Sequence, residues 1–152
     1  MTEIDLQFEG VAVPSWTPQI VSYMKWALKE AGITAYEVSV LFCSDDKIAE
    51  LNKTYRQKEG PTDVLSFVMD PLDNPDLSAK DEIAVWGDLV ISLPFVESNA
   101  NYFEVAYEEE LRRVLLHGIL HLKGLNHHSN LETEPMLVQQ EEILKKYRGS
   151  LF

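Results

Sequence analysis

All four histidines of this 152-residue chain fall between positions 117 and 128, and three of them, His117, His121 and His127, stand at metal-ligand spacing. Histidine is the commonest side-chain metal ligand, because neutral imidazole offers a nitrogen lone pair near neutral pH. Residues i and i+4 of a helix share a face, so His117 and His121 can grip one ion together. Gly124 supplies a left-handed helix stop, and the reversed chain can bring His127 back to the same ion. The window therefore demands a helix, a turn and a return. Three protein ligands leave a fourth position for water or substrate, the arrangement of a catalytic zinc rather than a structural one. His128 reads as an exposed neighbour on the turn.

The rest of the chain supplies a scaffold. Glu3 to Phe8 alternates apolar and polar residues, the pattern of a half-buried strand. Thr17-Pro18 reads as an N-cap and first-turn proline, and Gly32 ends the helix that follows. Tyr36 to Cys43 is β-branched and alternating, hence a second strand. Ser44 caps a short helix with Ile48, Leu51 and Tyr55 on one stripe. Arg56 to Thr62 is a polar loop, Asp63 to Val68 a buried strand, and Asp70 to Glu82 an exposed acidic loop with Pro71 and Pro75. Ile83 to Ser92 is one more strand, with a bend at Gly87. Helices are predicted over Phe95–Phe103, Tyr107–Lys123 and Glu134–Tyr147, the second supported by i,i+4 pairs Glu108–Arg112 and Glu109–Arg113. This order implies an α+β domain, a mixed sheet of about four strands packed with helices. The length suits one domain spanning residues 1–152.

Composition narrows the function. Cys43 is the only cysteine, which excludes an intramolecular disulfide and a thiolate-rich zinc site and fits a reducing cytoplasm. No apolar run is long enough to span a membrane, and the N-terminus lacks the basic-then-apolar pattern of a signal peptide. The net charge of −12, from 25 acids against 13 bases, argues against broad non-specific adhesion to nucleic acid. Lys53, Arg56 and Lys58 nevertheless form a local basic cluster.

The spacing H-x-x-x-H-x-x-G-x-x-H resembles that of the metzincin proteases, in which a glutamate after the first histidine is the general base. Here that position is Gly118, which has no side chain to take a proton. Met136 could pose as a Met-turn residue, although an ordinary core methionine at a helix start is the plainer reading.

A closer resemblance lies elsewhere. The stretch HGILHLKGLNH resembles the H-G-x-L-H-L-x-G-x-D-H signature of the YbeY family, metal-dependent single-strand endoribonucleases and rRNA maturation factors. Leu51-Asn52 with Tyr55-Arg56, then Pro61-Thr62-Asp63-Val64-Leu65-Ser66-Phe67, is similar to the family's second signature. Gly87-Asp88-Leu89-Val90-Ile91-Ser92 is similar to its third. The signatures stand in the expected order, and the resemblance covers essentially the whole chain. Two positions depart: Asn126 replaces the usual aspartate before the third histidine, and Val68 the proline after Ser-Phe. The resemblance implies a zincin-like fold, one Zn2+ on His117, His121 and His127, and Arg56 in the cleft near it. It also implies 16S rRNA 3′-end maturation and ribosome quality control, with single-stranded rRNA as substrate and the ribosome or a ribosomal protein as possible partner.

On that reading the zinc activates water or polarises a phosphoryl oxygen, and the Arg56 guanidinium, with Lys53, meets the charge on the non-bridging oxygens. Without the resemblance, Arg56 would be a solvated loop arginine. Asp63 either supports a ligand histidine or the Arg56 loop, or with Thr62 caps the strand entry. Ser66 is better explained as a buried hydroxyl than as an RNA contact, and Asp88 as a turn residue. No residue is assigned as general base. Two rivals remain: a metalloprotease, disfavoured by Gly118, and a non-enzymatic, metal-stabilised ribosome-assembly factor, whose acidic surface would suit a basic protein.

Overall fold

Segments of period-two apolar patterning, interleaved with segments of 3.6-residue patterning, produce a sheet with helices laid on it. A computed structural model describes residues 2–69, 84–124 and 135–147. Its elements run β1 (Thr2–Glu9), α1 (Thr17–Glu30), β2 (Ala35–Cys43), α2 (Asp45–Arg56), β3 (Val64–Val68), β4 (Ala84–Ser92), α3 (Leu93–Phe103), α4 (Tyr107–Leu122) and α5 (Pro135–Lys146). The strands form one mixed sheet in the order β1-β2-β4-β3. β1, β2 and β4 are parallel, and β3 runs antiparallel to β4 at the edge. The α+β architecture expected from the sequence is therefore present.

Side chains alternate across each strand, and the two faces bury different partners. Val38, Val40 and Phe42 of β2 join Val85, Leu89 and Ile91 of β4 in the main core, under Ile20, Met24 and Leu28 of α1 and Leu111, Leu115 and Ile119 of α4. The opposite face makes a smaller cluster of Cys43, Leu65 and Val90 beneath Ile48 of α2. Cys43 is fully buried there, and that burial pushes its thiol up to about 11, so it is not a thiolate near neutral pH.

Several local expectations change. Thr17 is not the cap of α1 but its first residue, and its hydroxyl donates 2.6 Å to the Pro14 carbonyl. Gly32 does end α1, at φ 79°, with its N–H on Lys29 and the Ile33 N–H on Leu28. Helix α2 extends through Arg56, so that residue is helical and the loop starts after it. Tyr55 is exposed and meets the Phe67 ring edge-on at 5.5 Å. Glu109–Arg113 forms at 3.5 Å. Arg112 instead lies over the Tyr147 ring, 5.5 Å from its centroid. Asp88 is no turn residue: it sits within β4, paired with Phe67 and Ser39. The acidic 70–82 segment lies outside the described residues.

Gly87 makes no bend either, because β4 continues through it. Its role is close approach. A Cβ there would stand 2.5 Å from the Phe67 carbonyl oxygen and 2.7 Å from Leu122 Cδ2. Gly118 answers it from α4, where a Cβ would meet Leu89 Cδ2 at 2.8 Å. The strand glycine thus receives a helix leucine, and the helix glycine a strand leucine. Gly87→Ala is expected to cost about 1–3 kcal/mol in urea denaturation, since a backbone oxygen cannot yield as a side chain can. A stability within experimental error of the parent would show that β3 moves freely there.

Candidate metal centre and cleft

Gly118 and Leu122, one turn apart, face the sheet. His117 and His121 precede them by one residue each, which turns them about 100° around the helix. That rotation takes both imidazoles off the sheet and into a cleft shared with Arg56 and Ser66 of the β3 side and Gln140 of α5. The two rings meet edge-on with centroids 4.6 Å apart, and their Nε2 atoms approach to 3.0 Å. Both histidines are half-buried. Gly124 follows at φ 100°, and its N–H bonds the His121 carbonyl at 2.9 Å, the helix stop that the sequence requires. His127, His128 and Asn126 lie outside the described residues. Among the described residues no group of three His, Cys, Asp or Glu side chains is arranged to hold a metal ion.

The ring orientation of His117 has a chemical cause. Its Nδ1 lies 2.7 Å from Gln140 Oε1. Gln140 Nε2 donates to Glu141 Oε2 at 3.1 Å. A carboxylate only accepts, so the amide must turn its NH2 towards Glu141 and its oxygen towards His117. An oxygen that only accepts demands a proton on His117 Nδ1. The lone pair is then left on Nε2, the atom that converges with His121. Gln140 is 5% exposed, and among the described residues no buried polar side-chain atom lacks a partner.

Glu141 is anchored in turn by Arg113, whose Nε and Nη2 reach its two oxygens at 3.0 and 3.1 Å. Arg113 Nη1 also donates to Glu110 at 3.1 Å. Burial alone would raise the Glu141 carboxyl, but the hydrogen bonds from Arg113 and Gln140 outweigh it and hold the group below its ordinary range. Glu110 goes the other way, because burial dominates and raises it despite the same arginine.

Arg56, the last residue of α2, lies on the opposite wall. Its Nη2 donates 2.6 Å to the Ser66 carbonyl, and its guanidinium sits 5.7 Å from the centre of the Phe67 ring. Lys53 points elsewhere, pairing with Glu59 at 3.9 Å, and Lys58 lines the cleft in its place. Asp63 takes the structural alternative: its Oδ1 accepts the Val64 N–H at 2.8 Å, and its carbonyl the Ser92 N–H at 3.1 Å. Ser66 is half-buried and borders the cleft rather than lying in the core. Met136 is 2% exposed within the main core, as a helix-start methionine should be.

Gln140 escaped the sequence reading. The signal was present: Met136, Gln140 and Ile143 are the buried residues of α5, an apolar stripe interrupted by an amide. A polar residue at a core position needs a partner, and here the partner is His117.

The profile of the family described as Endoribonuclease YbeY matches residues 4–148 of this chain. Proteins named Endoribonuclease YbeY are similar to it over most of its length. One from Treponema pallidum (strain Nichols) is 37% identical over 147 residues, covering 97% of this chain and 91% of the relative. One from Treponema denticola is 40% identical, covering 86% and 83%. One from Borreliella burgdorferi (strain ZS7) is 43% identical, covering 78% and 79%. A solution structure from Thermotoga maritima superposes with a TM-score of 0.56 at 29% identity, covering 92% of this chain and 87% of that one.

The depressed Glu141 carboxyl makes a signed prediction. Its contribution to stability is complete above its ordinary value of 4.5 and is lost as pH falls through the lower folded value. Glu141→Gln should therefore destabilise most near neutral pH, with the gap to the parent narrowing below about pH 4. Urea midpoints for both proteins across that range check it; a gap that widens on acidification would reverse the assignment.

Proposed function

This chain belongs to the endoribonuclease YbeY family, and from that premise we propose that it is a zinc-dependent single-strand endoribonuclease of the cytoplasm, acting in 16S rRNA 3′-end maturation and ribosome quality control. The observation that carries the metal part is the convergence of His117 and His121 Nε2 at 3.0 Å inside a cleft that also contains Arg56. Tetrahedral zinc with Zn–N distances of about 2.0–2.1 Å keeps two imidazole nitrogens roughly 3.3 Å apart, so the pair fits one ion with little movement. His127 completes the set by spacing and by its place in the family signature. Two histidines on a helix and a third beyond a glycine turn also support a zincin-like description of the fold.

Zinc held there by His117, His121 and His127 would supply Lewis acidity and would lower the pKa of water for phosphodiester cleavage. The chain's own residues arrange the reaction. Gln140 accepts a hydrogen bond from His117 Nδ1–H and keeps Nε2 available as a ligand. Arg56 is braced against the Ser66 carbonyl and the Phe67 ring. Its planar fork of donors suits two non-bridging phosphate oxygens, where charge grows as the bond breaks. Lys58 adds positive charge on the same wall. Gly118 is filled from outside by Leu89, so the position that carries a general base in metzincins is here a packing contact. This weighs against peptide hydrolysis.

Cleavage of a single-stranded 16S rRNA 3′-end fragment tests the reading. His117→Ala and chelator treatment should each abolish turnover, with zinc restoring only the chelated parent. Arg56→Ala should lower kcat by about a hundredfold while metal content is kept. Undiminished cleavage by His117→Ala would sink the metal mechanism, and RNA or ribosome binding without metal-dependent cleavage would favour a non-enzymatic assembly factor. Separately, Gln140→Leu should weaken zinc affinity about tenfold to a hundredfold in competition with a chromophoric chelator. An unchanged affinity would remove Gln140 from the metal centre.

A further inference from the structure

The far rim of the cleft, at the end of α3, carries two aromatic rings that the core does not use. Tyr102 is 81% and Phe103 60% exposed, and their rings meet edge-on with centroids 5.0 Å apart. The buried stripe of α3 is Leu93, Val96 and Ala100, so neither ring belongs to it. Their backbone is nonetheless held firmly. Glu104 closes the helix in the left-handed region at φ 56°, with its N–H on the Asn101 carbonyl at 3.3 Å and the Val105 N–H on Ala100 at 3.0 Å. A residue other than glycine is strained there, and the turn ends the helix directly after the two aromatic residues.

Both rings border the same cleft as His117, His121, Arg56 and Lys58. The cleft thus holds the Arg56 and Lys58 cations, the two imidazoles and two exposed aromatic rings, beside the carboxylates of Asp63, Glu142 and the Arg113-paired Glu110 and Glu141. A ligand that satisfies all three needs anionic linkages at regular intervals and planar faces beside them, which is the chemistry of an unpaired polynucleotide. Bases within a duplex are already stacked on each other and present no face to a protein ring. We propose that Tyr102 and Phe103 form a stacking subsite for an unpaired base of the RNA strand, in the same cleft as the phosphate that Arg56 meets. The subsite rests on the endoribonuclease reading, and it gives the preference for single strands a physical origin.

The test compares the parent, Tyr102→Ala, Tyr102→Trp and the Tyr102→Ala/Phe103→Ala double variant, each zinc-loaded. Substrates are a short single-stranded RNA and the same strand with abasic sites beside the cleavage position. Because stacking one base on an aromatic side chain is worth about fivefold to a hundredfold in affinity, Tyr102→Ala should raise KM by that order with kcat within about threefold. The double variant should do so more strongly, and Tyr102→Trp should bind as well as the parent, with its fluorescence quenched by RNA. On the abasic strand the difference between parent and variants should vanish. Equal losses on both strands, or none on either, would overturn the subsite and leave the nuclease reading intact. No cleavage by the parent, with base-dependent binding that Tyr102→Ala weakens, would sink the nuclease reading and leave the subsite standing. Loss of self-association in the double variant with unchanged RNA affinity would make this rim a contact between copies of the chain, against the proposal.

Discussion

Everything in this molecule depends on how closely α4 lies on β4. The contact is a reciprocal exchange, Leu122 of the helix against Gly87 of the strand and Leu89 of the strand against Gly118 of the helix. Neither glycine is needed for an unusual backbone angle at these points; each is needed because a methyl group would occupy space already taken. Interiors are packed to near-crystalline density, so such contacts fix a helix in rotation as well as in depth. Rotation is what matters for function. With Gly118 and Leu122 committed to the sheet, His117 and His121 are turned to the cleft, side by side on one helix face.

The second constraint is polar and ties α5 to the same helix. Arg113 grips Glu141, Glu141 accepts from the Gln140 NH2, and Gln140 Oε1 accepts a hydrogen bond from His117 Nδ1–H. Each link settles the donor direction of the next, starting from a carboxylate that can only accept. Gln140 is the buried link, and leaving its amide half-paired would be costly, which ties the order of the imidazole to the docking of α5. The apolar anchors Met136 and Ile143 hold α5 in the core on either side of Gln140. Packing and hydrogen bonding therefore converge on one ring.

Much of the centre is legible in the sequence. The i,i+4 histidines and the glycine stop are local, and local geometry follows from spacing alone. Gly118 can be read there as a missing carboxylate, but not as a packing site, because Leu89 lies in another element. Arg56 begins a polar stretch that reads as loop, yet the helix reaches it because the left-handed Gln57 at φ 58° ends α2 one residue later. Lys53 and Arg56 stand three positions apart and so lie near one another around the helix axis, yet Lys53 reaches away to Glu59 in the following loop, a partner that spacing does not reveal. Asp88, beside Gly87, reads as a turn, because a glycine in a strand signals either a bend or a close approach and the sequence does not say which.

By itself the sequence determined the alternation of strands and helices, the face that each presents, the pairing of His117 with His121, and the glycine that stops their helix. These follow from periodicity and backbone sterics within a few residues. The tertiary structure alone decided the strand order β1-β2-β4-β3, the glycine–leucine exchange that aims the histidines, and the partnership of Gln140 with a ring 23 residues earlier. It also decided that Tyr102 and Phe103 share a cleft with Arg56. Such relations join elements distant along the chain, and they exist only once burial has brought those elements together.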